Sequence, residues 1–365
     1  MKFYRLDKIF SKKCQYNIVF GERSNGKTYA ALEYAVCEYI KNGTQTALIR
    51  RWDEDFKGKR GKTMFDAIIK NGVISKASKG MFDCVYYYGA TWTLARYDPV
   101  DDKMIKDSKP FCYAFSLTAQ EHDKSSSYEG VKFIIFDEFL TRKSYLPDEF
   151  VFFQNTLSTI IRHKNDVKIL MLGNTVNQYC PYFAEMGLTN IKKMKQGTID
   201  VYEYGDSGLR VAVEYADSPN KKKDSDVYFA FNNPKLNMIK NGSWEIGIYP
   251  HLPEKYVPKE VKYIFYIDFN GELLQGNVIF KKKYSFIYIH RKTTPIKEDN
   301  HYIVYTTEYD PRRNYRRKIT QPKSDREKRI ATYFKYDKVF YQNNEIGEIV
   351  RNYIIWCKQE NIINK

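Results

Sequence analysis

The sequence predicts an α/β fold with a mostly parallel sheet in its first part, followed by a smaller α+β unit. Three observations carry this. Tyr16–Phe20, Val131–Phe139 and Val167–Leu172 are largely continuous apolar runs, as expected of parallel strands buried on both faces. Between them lie stretches with apolar residues at helical spacing, and such alternation of strands and helices favours a parallel sheet. From about Trp244 onward the pattern changes to closely spaced strands closed by one helix. A length of 365 residues fits two domains. The expected divisions are 1–203, a Gly-, Pro- and Lys-containing linker over 204–242, and 243–365.

Taken in order, the first strand runs into Gly21-Glu22-Arg23-Ser24-Asn25-Gly26-Lys27-Thr28, a complete match to G-x-x-x-x-G-K-[ST]. Glycines at 21 and 26 allow the backbone to turn so that successive N–H groups face phosphate oxygens. Lys27 supplies a cation for the β/γ-phosphates and Thr28 a hydroxyl for Mg²⁺. Thr28–Lys41 places Ala31, Leu32, Ala35, Val36 and Ile40 on one helical face and stops at Asn42-Gly43. Strand, glycine loop and helix together set phosphates at a helix N-terminus, so ATP with Mg²⁺ is the expected ligand.

Thr44–Trp52 reads as a strand ending in Arg50 and Arg51. The following polar segment carries Lys57, Lys59, Arg60 and Lys62, either as a solvated loop or as contacts to a phosphate backbone. Residues 81–99 read as a hairpin around Gly89, and Phe111–Leu117 as a further strand. Val131–Phe139 carries Asp137 and Glu138 at its C-terminal tip, where ligands sit in parallel sheets. Asp137 would hold Mg²⁺ through water, and Glu138 would polarise the water that attacks the γ-phosphate. After a helix over about 148–163, the strand Val167–Leu172 ends near Asn174, a candidate sensor of the γ-phosphate or a turn cap. Arg162 ends the helix, either complementing its dipole or reaching a neighbouring subunit's ATP.

Composition narrows the class. The six cysteines form no C-x-x-C pair, the five histidines show no metal spacing, and no apolar run is long enough to span a bilayer. The N-terminal residues lack an apolar signal core, so a reducing cytosol is expected. Net charge is +16, and residues 281–329 hold 15 Lys+Arg against 6 Asp+Glu. Within that stretch Arg312, Arg313, Arg316 and Arg317 surround Tyr315, as phosphate contacts or as a solvated loop. In the second part, Tyr263–Phe269, the turn Asn270-Gly271, the run to Phe280, Tyr284–His290 and Tyr302–Thr306 read as strands, and about 347–359 as a helix. Asp268 on the first of these strands is a turn residue or a metal ligand; Glu308 or Asp310, with Glu345 or Glu348, could complete a nuclease set.

The succession GERSNGKT, IRR, EHDKSSSYEG, IIFDEF, IIRHK and MLGNT resembles the DNA-packaging ATPases of small tailed phages of the phi29 type, over about residues 10–180. Arg23, at the third position within the loop, is a habit of phage packaging motors. The resemblance implies a terminase-like P-loop ATPase of the ASCE class, related to FtsK and HerA. It makes Arg162 a finger acting in trans, and Lys124 a second basic residue offered across a subunit interface. It further implies a pentameric ring that drives double-stranded DNA into a prohead at its portal. The motor would work in the host cytoplasm, transiently attached to the prohead, away from any membrane and in some cases with a structural packaging RNA. Asp53 departs from the family's basic loop, which shifts the expected DNA grip to Lys57, Lys59, Arg60 and Lys62. The C-terminal part resembles an RNase H-like domain in the degenerate form the family carries. The alternatives are a terminase-like motor with a live metal-dependent nuclease, and a non-catalytic P-loop tether for nucleic acid.

Overall fold

The computed structural model describes residues 4–119, 127–141, 145–146, 148–175, 180–217, 247–269, 271–297 and 301–359. They fall into two compact units. The first takes the described residues within 1–142, 148–178 and 188–245, the second those within 143–147, 179–187 and 246–365.

The strands of the first unit are β1 (Tyr16–Gly21), β2 (Gln45–Arg50), β3 (Cys84–Tyr88), β4 (Thr91–Asp98), β5 (Lys103–Lys106), β6 (Cys112–Ser116), β7 (Val131–Asp137), β8 (Lys168–Asn174), β9 (Ile199–Tyr204) and β10 (Leu209–Tyr215). Its helices are α1 (Asp7–Phe10), α2 (Lys27–Asn42), α3 (Lys59–Lys62), α4 (Asp66–Lys70), α5 (Val73–Ala77) and α6 (Glu149–Ile161). All ten strands join one sheet in the order β3-β4-β6-β2-β7-β8-β1-β10-β9, with β5 attached to β4. The central six, β6 to β10 in that order, are parallel; β4 and β9 add on antiparallel. The continuous apolar runs are thus strands covered on both faces, and the mixed α/β fold with a mostly parallel sheet is as expected.

Strand β8 lies between β1 and β7. Its register sets Asn174 beside Gly21 and Leu172 beside Asp137, so three strand tips that are distant in sequence finish side by side. Helix α2 leaves directly from the loop after β1, buries Ala30, Ala31, Leu32, Ala35 and Val36, and ends at Gly43. Gly43 is left-handed at φ 69°, and its N–H donates to the Tyr39 carbonyl at 2.8 Å, a glycine-terminated helix end. Helix α6 runs antiparallel to β7: Phe153 stacks on Phe136 with centroids 5.0 Å apart. Past the end of α6, Lys164 Nζ donates to the carbonyls of Tyr128 and Val131, both at 2.7 Å, at the start of β7.

Two features depart from expectation. Strands β9 and β10 fall in the segment around residue 204, and β10 pairs with β1. The first unit therefore continues past 203, because β10 covers an otherwise open edge of the strand before the loop. Residues 218–242 of the expected linker lie outside the described residues. The segment after β2 is not a plain loop. It contains α3, α4 and α5, which deliver Phe56 and Phe65 edge-on to the fully buried Trp92.

The second unit comprises α7 (Pro181–Glu185), β11 (Val261–Phe269), β12 (Glu272–Phe280), β13 (Ser285–Arg291), β14 (Ile303–Thr306), β15 (Tyr315–Arg316), α8 (Asp325–Lys335), β16 (Val339–Tyr341) and α9 (Asn344–Gln359). The sheet order is β15-β14-β11-β12-β13-β16. The first three strands form an antiparallel meander, while β14, β15 and β16 add on in parallel. Phe265, Ile267 and Phe269 form one core with Ile346, Ile349, Val350 and Tyr353 of α9. The basic stretch 309–329 is more ordered than a solvated loop: α8 begins within it. Ser324 Oγ accepts from the Glu327 N–H at 3.3 Å and donates to Glu327 Oε1 at 3.1 Å. This is the S-x-x-E start signal, present in the sequence as Ser324-Asp325-Arg326-Glu327. Among the described residues, no helix is long and apolar enough to cross a membrane.

Gly276 shows how tightly the second core is filled. It sits opposite Phe265, and a Cβ there would lie 2.2 Å from the ring's Cζ. Because Phe265 is fully buried, Gly276→Ala should lower stability by about 1–3 kcal/mol. A fall in the denaturant midpoint tests this, and an unchanged midpoint would mean that the ring can yield.

Candidate nucleotide site

The site forms at the C-terminal tips of β1, β7 and β8 and at the N-terminus of α2. Gly21 closes β1 without using glycine's left-handed freedom; its reason is proximity. A Cβ would lie 3.1 Å from the Ala216 carbonyl, whose residue follows β10. The expectation that Gly21 serves the turn is thereby corrected. The turn is made by Ser24 at φ 58° and Gly26 at φ 90°, a change of backbone hand that aims consecutive N–H groups inward. Asn25 is buried and Arg23 exposed, while Glu22 lies half-buried at the loop's start.

Lys27 is the first residue of α2, only 5% exposed. Its Nζ donates to the Glu22 carbonyl at 2.6 Å, Asn25 Oδ1 at 3.1 Å and Asn174 Oδ1 at 3.3 Å. Burial lowers its pKa to about 7, against the opposing attraction of Asp137 and Glu22. Thr28 Oγ1 donates to Asp137 Oδ1 at 3.0 Å, and Arg50 Nη2 to Asp137 Oδ2 at 2.6 Å. Asp137 is thus held on both oxygens and is almost completely buried. Arg50 reaches it because β2 neighbours β7, with Ile49 beside Phe136.

Glu138, the next residue, is exposed and left-handed at φ 62°. For a residue with a Cβ this costs of order 1–3 kcal/mol and persists only where surroundings enforce it. The enforcement is visible. Arg51 Nη1 donates to the Glu138 carbonyl at 3.2 Å and Nη2 to the Phe139 carbonyl at 2.8 Å. The same guanidinium forms a fork with Glu149, Nε to Oε2 and Nη2 to Oε1, both at 2.8 Å.

Lys27, Thr28, Asp137 and Asn174 are therefore brought together, with Glu138 adjacent. Arg50, Arg51 and Glu149 are the residues that sequence reasoning left without a role. The two arginines were visible at a strand end, but their partners lie almost a hundred positions away. Glu149 reads in sequence as one of two acids at a helix start, with nothing to mark it as buried. Arg162 is not part of this cluster. It is exposed at the far end of α6, about 20 Å of helix from Glu149. Lys124 lies outside the described residues.

The expected basic contacts divide. Lys59, Arg60 and Lys62 are exposed on α3, while Lys57 pairs with Asp53 at 2.6 Å. Asp53, in place of a basic residue, thus neutralises part of that surface. Arg313 is exposed, but Arg312 forms a two-bond pair with Asp310 at 2.9 and 2.6 Å and lies over the Tyr315 ring. Arg316 is held by the buried Glu327 at 3.1 Å, and Arg317 donates to the Thr307 carbonyl. Much of this patch is internal scaffolding.

The candidate nuclease carboxylates do not form one cluster: Asp268 and Glu308 are neighbours, while the other three are engaged elsewhere. Partial burial and nearby Glu308 raise the Asp268 pKa. Asp310 is committed to Arg312, Glu345 to Arg291, and Glu348 to Tyr249 Oη at 2.5 Å and Arg351 at 3.1 Å. Among the described residues no three acids, cysteines or histidines group as a metal site.

Residues 100–360 match the family model described as Podovirus DNA encapsidation protein (Gp16). The chain belongs to that family. The DNA packaging protein of Bacillus phage phi29 is 27% identical over 195 residues, covering 51% of this chain and 50% of the relative. That of Bacillus phage B103 is 29% identical over 175 residues, covering 47% and 48%. The chain thus spans about half the length of the curated relatives it matches. The Phi-28 gp11 DNA packaging motor superposes with TM-score 0.57 over 98% of both chains at 18% identity. The bacteriophage Phi-29 genome packaging motor assembly gives 0.55 over 96% of both at 22%. At these identities the likeness is one of fold.

The residues present fit a nucleotide phosphate and Mg²⁺. Asn25 Nδ2 and Arg50 Nε are buried without a hydrogen-bond partner, donors suited to anionic oxygens. Thr28 and Asp137 offer adjacent hard oxygens, the small protein contribution that Mg²⁺ takes beside phosphates. An arriving phosphate would favour protonated Lys27 and restore the pKa that burial depresses. Sign and window follow: below pH 7 Lys27 is already charged, whereas above it binding draws in a proton. Calorimetric titration with ATP in buffers of different ionisation enthalpy should find uptake approaching one proton at about pH 8.5 and almost none at about pH 6. Equal uptake at both values would place the proton on Lys27 beforehand.

Proposed function

We propose that this chain is the ATP-hydrolysing subunit of a phage motor that packages double-stranded DNA. The observation that carries it is the convergence of Lys27, Thr28, Asp137 and Asn174 within hydrogen-bonding reach at three neighbouring strand tips. Lys27 and the 21–28 loop bind the phosphates. Thr28 and Asp137 hold Mg²⁺, which when bound offsets charge on the β/γ oxygens. Glu138, at the exposed tip beyond Asp137, polarises the attacking water. Asn174 shares Lys27 with the phosphate and so is placed to respond when the γ-phosphate leaves.

Arg162 cannot serve its own subunit's site from the far end of α6, which supports a role in trans within a homo-oligomeric ring, a pentamer by family. Lys124 is proposed as its companion across the interface. A net charge of +16 favours a polyanionic partner. Lys59, Arg60 and Lys62, with Lys57 beside Asp53, are the proposed DNA contacts of the first unit, and Arg313 that of the second. For the second unit, the antiparallel meander with Asp268 on its first strand, extended in parallel on that side, supports an RNase H-like fold. That its acids do not form one cluster supports a degenerate form that docks on the prohead or a packaging RNA. The subunit would act in the host cytoplasm, attached transiently to the prohead.

Glu138→Gln should bind ATP with near-parental affinity and lose about 10²-fold or more in turnover; undiminished hydrolysis would remove Glu138 from this role. Mixing Arg162→Ala with Lys27→Ala subunits should recover activity that neither has alone, since an arginine finger contributes about 10³–10⁵ in rate. Absence of recovery in rings verified to be mixed would assign Arg162 to its own helix.

A further inference from the structure

The left-handed backbone at Glu138 and the buried Arg51–Glu149 pair are parts of one device. Arg51 and Glu149 are 5% and 1% exposed. Two desolvated charges are retained at a cost unless every hydrogen-bonding position is used. Here the guanidinium fork spends two bonds on the Glu149 carboxylate and two on the peptide carbonyls of residues 138 and 139. The Phe139 N–H in turn donates to the Leu172 carbonyl at 3.1 Å. The Glu138–Phe139 peptide is thereby fixed from both sides, by Arg51 just after β2 and by Leu172 of β8.

Glu149 is the first residue of α6, so the same guanidinium also ties that helix to the tip of β7. The other end of α6 is tied to the start of β7 by Lys164, and its middle by the Phe136–Phe153 stack. Helix and strand are therefore joined along their length, with the Arg51 joint at one end and Arg162 at the other.

We propose that Arg51 and Glu149 are positioning residues: they hold Glu138 in its strained conformation and make α6 follow the position of the β7 tip. This rests on the role given above to Glu138. A lysine at 51 keeps the charge but not the planar fork, so it cannot serve the carboxylate and both carbonyls together. Misplacement of a reacting group by about 1 Å can cost about 10²-fold in rate.

The test compares parent, Arg51→Lys, Glu149→Gln and the exchanged pair Arg51→Glu/Glu149→Arg. ATP turnover, ATP affinity, melting temperature and amide hydrogen exchange over residues 134–141 are measured for each. Arg51→Lys is expected to lose about 10²-fold in kcat while ATP affinity stays within about threefold, and its Phe139 and Leu140 amides should exchange faster. The exchanged pair should recover neither melting temperature nor turnover, because a buried carboxylate at 51 faces the two carbonyls, which lose their donors. Parental kcat and exchange in Arg51→Lys, or full recovery of turnover in the exchanged pair, would overturn the proposal. Should Arg51→Lys not fold, Glu149→Gln, which leaves both carbonyl bonds, decides by the same kcat and exchange criteria. If the parent shows no hydrolysis that Lys27→Ala abolishes, the role of Glu138 fails separately. Hydrogen exchange then judges the clamp alone, and unchanged exchange over 134–141 sinks it.

Discussion

The chemistry of this molecule depends on Asp137 being held at both carboxylate oxygens. Thr28 occupies one and Arg50 the other, and each comes from a strand or helix whose place is set by the sheet. Two donors on a nearly buried carboxylate fix its position and orientation. That fixes the end of β7 and with it the start of the strained turn at Glu138. The order of strands makes this possible: β2 on one side supplies the arginines, while β8 on the other supplies Asn174 and the Leu172 carbonyl.

The same arrangement separates two groups of residues. Lys27, Thr28, Asp137 and Glu138 lie at one end of the sheet. Arg162 lies at the other end of a helix bound to β7 along its length. Helix α6 is joined to β7 near both ends and by the Phe136–Phe153 stack. The short helices after β2 add a surface bearing Lys59, Arg60 and Lys62 directly downstream of Arg50 and Arg51.

Much of the first unit was legible because its signals are local. The loop at 21–28, the glycine stop at 43 and the apolar strands before Asp137 and Asn174 each lie within one short segment, where steric rules and periodicity act directly. Less legible was the end of the first unit. β9 and β10 sit among turn residues, and only their pairing with β1 makes them part of its sheet. The arginine-rich stretch was legible as charge but not as structure. Asp310 and Glu327 neutralise Arg312 and Arg316 from within it, and the Ser324–Glu327 start of α8 was masked by the surrounding lysines and arginines. For the nuclease candidates, spacing along the chain carried no information on whether carboxylates meet. Three of the five, Asp310, Glu345 and Glu348, are taken up by individual partners, and Asp268 and Glu308 lie near each other.

By itself the sequence determined the strand, glycine-containing loop and helix over residues 16–42. A glycine loop between strand and helix is a contiguous device whose geometry is dictated by a handful of neighbouring dihedral angles. It likewise determined that acids would end one parallel strand and a polar residue another. Tertiary structure decided how those ends are ordered and what holds them. β8 falls between β1 and β7, Gly21 lies close against Ala216, and Arg51 finds Glu149 across 98 positions. Those outcomes depend on strand pairing and on the burial of charges that no local segment contains, which is why they emerge only when the chain is folded.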